Sequence, residues 1–224
     1  MNALKHEFHH LYRVFPAMDL VAHAGFAFGN ANEHFVRIID LLKTPGMQTL
    51  WEEDKTLDER TKAERRAESN AFHRHLRALL WELVASFDTI LQWANQEYQL
   101  GVDEHLVKFT ALPAIAGRKQ QEWDKKRALL EEAWNSAWYF EVRAYRNFTH
   151  RAFANVLAVI VREAAGDRAI HVDLLPVRRG QPEHVPIQDH LRSYLEKMQA
   201  LGLAVLPIAD ARVAPNPQME PTRR

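Results

Sequence analysis

Residues 141–151, EVRAYRNFTHR, gather Arg143, Arg146, Asn147 and His150 into one short stretch directly after a tryptophan-rich run. A helix turns about 100° per residue, which sets Arg146 about 60° to one side of Arg143, Asn147 about 40° to the other and His150 about 20° away. The four donors then share an arc of roughly 100°. Leu130, Trp134, Trp138, Tyr145 and Phe148 are expected around the opposite pole. Glu141 falls among those aromatics, where a carboxylate needs a partner. An arginine or a tyrosine hydroxyl is expected to supply it.

Such a donor face suits a phosphodiester. Arginine forks match phosphate oxygens and keep their charge, while neighbouring cations disfavour the protonated form of a histidine and leave it available as a base. In RNA the nucleophile is the adjacent 2′-hydroxyl, so cleavage needs a base, an acid and positive charge on the developing oxyanion. No metal or other cofactor is required. The competing reading is plain: arginine, asparagine and histidine also populate the solvated side of a structural helix.

YRNFTHR after a tryptophan-rich helix, together with the earlier FHRHLRALLWELVASFDTILQWANQEYQLG, resembles the HEPN superfamily of helical prokaryotic and eukaryotic nucleotide-binding domains over about Asn70 to Arg151. The segments that follow resemble a subgroup carrying a C-terminal hairpin and helix. The resemblance implies a helical bundle, commonly dimerised so that two motifs line one cleft. In many members it implies a metal-independent endoribonuclease of toxin–antitoxin or antiviral defence, with RNA or a nucleotide, a second copy and an antitoxin protein as partners. The family motif is an arginine, four to six residues, then a histidine, often with a polar residue directly after the arginine. Arg143 has the spacing to His150 but is followed by Ala144; Arg146 is followed by Asn147, yet only three residues separate it from His150. The resemblance assigns His150 as general base or acid, Arg143 to the scissile phosphate, and Arg146 with Asn147 to substrate positioning or support of the histidine. Tyr139 and Arg151, flanking the motif, are assigned to substrate binding. The alternative is a non-catalytic HEPN-like module that binds RNA, a nucleotide or a protein, or that only dimerises.

Composition narrows the setting. The 224 residues carry 29 Lys+Arg against 29 Asp+Glu, so no global field draws the chain to nucleic acid or an anionic membrane. Any RNA contact must be local. The absence of cysteine excludes disulfides, thiolate zinc sites and cysteine nucleophiles, and it fits a reducing compartment, so the cytoplasm is the expected location. No stretch has the length and apolarity of a membrane span.

The elements that must hold the donor face follow from periodicity. NEHFVRIIDLLK predicts a helix over 32–43 ended by Pro45 and Gly46, and AMDLVAHAGFAFGN a helix upstream weakened by Gly25 and Gly29. Residues 52–68 are mostly charged with mixed signs and predict a solvated helix or connector without chemistry. Apolar residues recurring every three or four positions predict a long core helix over 70–99, and a second long helix is expected from about Gln120 to His150. NVLAVIVRE and AIHVDLLPV, separated by AAGDR, predict a β-hairpin; the competing reading continues the helix to Gly166. VPIQDHLRSYLEKMQALG predicts a last helix with Ile187, Leu191, Leu195, Met198 and Leu201 on one face.

The expected fold class is therefore mainly α: an HEPN-like helical bundle with a small β-hairpin and a final helix after the motif helix. It forms one domain over residues 1–206, with a bundle core about 17–151, the hairpin and last helix about 152–206, and a flexible tail over 207–224. Trp81, Trp93, Trp134 and Trp138 sit at core spacing, so packing is expected of them rather than base stacking. KHEFHH contains Glu7-x-x-His10 but lacks the second Glu-x-x-His that a helix-bundle iron site needs. Arg178 and Arg179 add only two charges.

Overall fold

The computed structural model describes residues 17–50, 52–151, 157–164, 167–177, 179–180 and 185–207, with the side chains of 17–19, 150, 151 and 157–171 outside that description. The histidine-rich start, Arg178, the turn between the valine-rich stretches and the tail beyond 207 lie outside the described residues. The chain is mainly helical and forms a bundle. Among the described residues the α-helices are α1 (Ala17–Leu41), α2 (Pro45–Gln48), α3 (Glu59–Glu97), α4 (Gln120–Asn135), α5 (Ala137–Arg151) and α6 (Ile187–Val205). Strands β1 (Leu157–Ala164) and β2 (Asp167–Leu174) pair antiparallel, from Leu157 opposite Leu174 to Ala164 opposite Asp167. Among the described residues no helix is long and apolar enough to cross a membrane.

The two apolar stretches before Pro45 form one helix. A side chain at Gly25 or Gly29 would meet nothing within 4 Å, so these glycines lie on the open side of α1 and lower its propensity without interrupting it. Leu20, Ala24, Ala31 and Ile38 are buried on the other side, where α1 runs along α3.

Of the two readings of the charged segment 52–68, the structure takes the helix, and it ties that helix to the preceding loop. From residue 59 it is the opening of the 39-residue α3, capped where the Thr61 amide donates to Asp58 Oδ1 at 2.7 Å. Arg65 donates to the carbonyls of Thr49 at 3.1 Å and Glu52 at 2.9 Å and pairs with Asp54. Glu68 accepts from the Thr44 hydroxyl and, at 3.1 Å, from the Met47 amide, satisfying a free donor at the start of α2. Gly46 permits this approach, since a Cβ there would lie 2.8 Å from the Arg65 backbone. Further along α3, Phe72, Leu76, Leu79, Leu80, Leu83, Phe87 and Leu91 are completely buried.

The long helix expected over 120–150 is two helices. Ser136 is extended, with φ −69° and ψ 151°; its hydroxyl donates to the Ala133 carbonyl at 2.6 Å and accepts from the Tyr139 amide at 3.4 Å. One serine therefore ends α4 and begins α5, the local competition with helix bonding that serine hydroxyls offer. Beyond α5, the Tyr145 hydroxyl donates to the Leu175 carbonyl at 2.8 Å and pins the end of β2. Ile187, Leu191, Leu195, Met198 and Leu201 of α6 are buried, and Val172 and Leu174 of β2 join the same core.

Three histidines near these helix contacts favour the neutral form. Burial first, then His34, Arg37 and Arg74, lowers the pKa of His75, whose Nδ1 lies 3.0 Å from His34 Nδ1 across the α1–α3 contact. Burial, then Arg77, lowers that of His73; burial lowers that of His190 against the opposing pull of Glu141, Asp173 and Asp189. The unfolded chain therefore binds protons more readily than the folded one. Stability is full above the ordinary imidazole value of about 6.5 and falls below it until the folded imidazoles also protonate. Urea midpoints should drop between pH 7.5 and 5.5, with a smaller drop in His75→Gln; an unchanged or higher midpoint at pH 5.5 would contradict this assignment.

Candidate nucleic-acid interface

Helix α5 rests on α3 and α6 with Tyr139, Val142 and Tyr145 wholly inside and Glu141 and Thr149 also buried. Phe148, expected on the core side, is 45% exposed, and Phe140 is 46% exposed. The buried arc of α5 is thus turned by about 60° from the position expected of a single continuous helix. The cause is the break at Ser136: Leu130 and Trp134 belong to α4, and α5 is free to roll independently of them. The roll leaves Asn147 exposed and carries Arg143 and Arg146 to the half-buried shoulder between α5 and its neighbours.

On that shoulder both guanidinium groups lie over aromatic rings. Arg143 Cζ is 4.1 Å from the centroid of Trp134 and 5.0 Å from that of Tyr139; Arg146 Cζ is 4.7 Å from that of Trp81 on α3. Each contact supplies about 0.5–2 kcal/mol as a ring quadrupole faces a cation. The seat is itself packed: Tyr139 stacks on Phe87 at 4.2 Å, and Trp134 stands between Phe87 at 6.1 Å and Phe109 at 5.9 Å. The Nε atoms of both arginines are buried without a hydrogen-bond partner. Arg146 donates through one terminal nitrogen to Asn147 Oδ1 at 3.1 Å.

The surrounding charges complete a mixed surface patch. Exposed Asp88 lies within electrostatic reach of Arg146, Arg143 and Lys108; the protein around it raises its carboxyl pKa, and these cations act in the opposite direction. Burial, followed by Asp88, holds the Tyr139 hydroxyl far above the usual phenol range, so it stays neutral. The arrangement can accept an anion on two aromatic-backed forks with a third cation nearby. Among the described residues no cluster of three or more His, Asp or Glu side chains could hold a metal.

Of the residues expected from sequence, Arg143, Arg146 and Asn147 come together here. Tyr139 is 1% exposed and supports Arg143 from beneath. His150 and Arg151 belong to the last turn of α5, and their side chains lie outside the described residues. Trp81 is 44% exposed beneath Arg146, against the expectation of a core tryptophan. Sequence reasoning also passed over Asp88 and Lys108. Trp81 and Asp88 stand seven residues apart and therefore on one face of α3, which was the available signal for a shared wall.

The opposite side of α5 explains its orientation. The Tyr194 hydroxyl on α6 donates to Glu141 Oε2 at 2.7 Å, the tyrosine partner foreseen for this carboxylate, and lies 3.4 Å from His190 Nδ1. A pocket of about 270 Å³, lined by Trp138, Ser193 and Lys197 among others, adjoins this network. No protein-family model matches the chain, and neither a curated protein nor a solved structure matches it.

Tyr194→Phe should remove a hydroxyl from a buried carboxylate and lower stability by about 1–3 kcal/mol. The check is denaturant unfolding at pH 7.5; a change under about 0.5 kcal/mol, the range typical of neutral surface substitutions, would show that Glu141 does not depend on that bond.

Proposed function

We propose that this chain acts on RNA, with Arg143 and Arg146 receiving the phosphodiester backbone, as its resemblance to HEPN proteins implies. The observation that carries the reading is the seating of the arginine pair: two guanidinium groups rest on Trp134, Tyr139 and Trp81, with buried Nε atoms that have no partner. Structural arginines at a helix contact usually end in a carboxylate or a carbonyl. Among the described residues Arg143 and Arg146 form no ion pair with an acidic residue, which suits a ligand that brings its own negative charge.

In the catalytic form of this reading the reaction is metal-independent transesterification. The 2′-hydroxyl loses its proton as it attacks the adjacent phosphorus, the 5′-oxygen leaves and takes up a proton, and a 2′,3′-cyclic phosphate remains. His150, seven residues after Arg143 on α5, is the proton-transfer residue as base or acid. Arg143 neutralises the phosphorane oxygens, while Arg146 with Asn147 positions the substrate. Tyr139 is a positioning residue that holds Arg143. The family setting adds a homodimer with two motifs facing one cleft, a defence role and an antitoxin partner. A second reading, a non-catalytic module that binds RNA, a nucleotide or a protein, is favoured by one observation: spacing to the histidine and the following polar residue are divided between Arg143 and Arg146.

Purified protein and His150→Ala are incubated with a structured RNA pool in EDTA, and products are mapped with their end groups. The catalytic form predicts cyclic-phosphate ends and a loss of at least about 10²-fold in the variant. Equal cleavage by both proteins removes His150 from the mechanism. Salt-sensitive RNA retention without cuts selects the binding reading. The absence of both cuts and retention would overturn the proposal.

A further inference from the structure

Asp88 is an unexpected residue beside a patch of cations. It stands two turns after Trp81 on the same face of α3, and its neighbour Phe87 stacks at 4.2 Å on Tyr139, the ring that lies beneath Arg143. Arg146 lies over that Trp81, and the Asp88 carboxylate is within electrostatic reach of Arg146 and Arg143. Among the described residues Asp88 makes no hydrogen bond or ion pair, and its side chain is exposed. It therefore neither locks the arginines nor caps a helix. A negative charge here weakens phosphate binding unless it meets a donor on the same ligand.

The backbone of RNA carries one such donor in each nucleotide, the 2′-hydroxyl, and the backbone of DNA carries none. We propose that Asp88 reads the ribose: its carboxylate accepts a hydrogen bond from the 2′-hydroxyl of a nucleotide whose phosphate lies on Arg143 and Arg146, so that this face takes RNA and rejects DNA. This inference rests on the RNA reading above and adds a specificity-determining residue to it. Hydrogen bonds to an ionised acceptor are stronger than neutral ones. The same carboxylate repels a DNA strand that offers phosphates and no donor.

The two effects have opposite signs, and a substitution separates them. Single-stranded oligonucleotides of one sequence are prepared as RNA, 2′-O-methyl RNA and DNA. Binding is measured for the full chain and for Asp88→Asn, both in a His150→Ala background so that cleavage does not deplete the ligand. The parent should prefer RNA over DNA by about ten-fold or more, the range of a hydrogen bond to a charged group. It should bind the 2′-O-methyl strand as it binds DNA, because that strand keeps the oxygen and lacks the donor. In Asp88→Asn, DNA binding should tighten while RNA binding weakens or stays level, and the preference should collapse.

Equal tightening of RNA and DNA in Asp88→Asn would make the residue an electrostatic brake only and overturn the proposal. Equal binding of RNA and its 2′-O-methyl form by the parent would overturn it as well. Binding of none of the three strands would instead bring down the RNA reading, and this inference with it. Thermal unfolding of both proteins checks the fold; among the described residues Asp88 makes no bond whose loss would lower the midpoint of Asp88→Asn.

Discussion

A guanidinium half-buried without a carboxylate needs something else to face, and in this chain it faces an aromatic ring. Arg143 lies on Trp134 and Tyr139, and Arg146 on Trp81. Desolvating a cation is costly when nothing compensates it. A ring face offsets part of that cost while leaving the hydrogen-bonding fork unspent. The donor face depends on this arrangement, since a salt-bridged arginine would be fixed but already neutralised. The aromatic seat is why the tryptophan-rich sequence and the arginine-rich sequence adjoin: the first supplies the surface on which the second is held.

The seat exists only because α5 can roll. Ser136 bonds to both helices and breaks the continuity that would have tied the orientation of α5 to that of α4. Once freed, α5 is turned by its buried polar residues as well as by its apolar ones. Glu141 finds the Tyr194 hydroxyl on α6, and Tyr145 finds the Leu175 carbonyl beyond β2. These two bonds hold one side of the helix inward and leave the arginines at the opposite shoulder, toward Trp81 and Asp88 on α3. Polar bonds on the far side of a helix thereby set which residues stand on the donor face.

Much of the architecture was legible in the sequence where a single helix carries its own apolar stripe. The buried faces of α3 and α6 follow directly from their spacing, and the partner of Glu141 was foreseen as a class. What escaped depended on contacts distant in sequence or on a local bond that competes with the helix. Glycine propensity argued against a continuous α1, yet packing along α3 overrides it because both glycines face outward. The charges of 52–68 read as solvation, because Glu68 and Arg65 find their partners in the preceding loop. The wheel that placed Phe148 in the core assumed an unbroken helix. Trp81 fits core spacing on α3 and is nonetheless 44% exposed, because its apolar face serves Arg146.

The central claim is that the arginine pair contacts the phosphate backbone of a single RNA strand, and the salt dependence of binding addresses it most directly. Affinity for one single-stranded RNA is measured across ionic strength for the parent chain and for the double variant Arg143→Gln, Arg146→Gln. Each phosphate neutralised on a single strand contributes about 0.7 to the slope of log affinity against log salt, so the variant should be shallower by about 1.4. Equal slopes in the two proteins, with RNA still bound, would place the backbone elsewhere on the molecule and contradict the account.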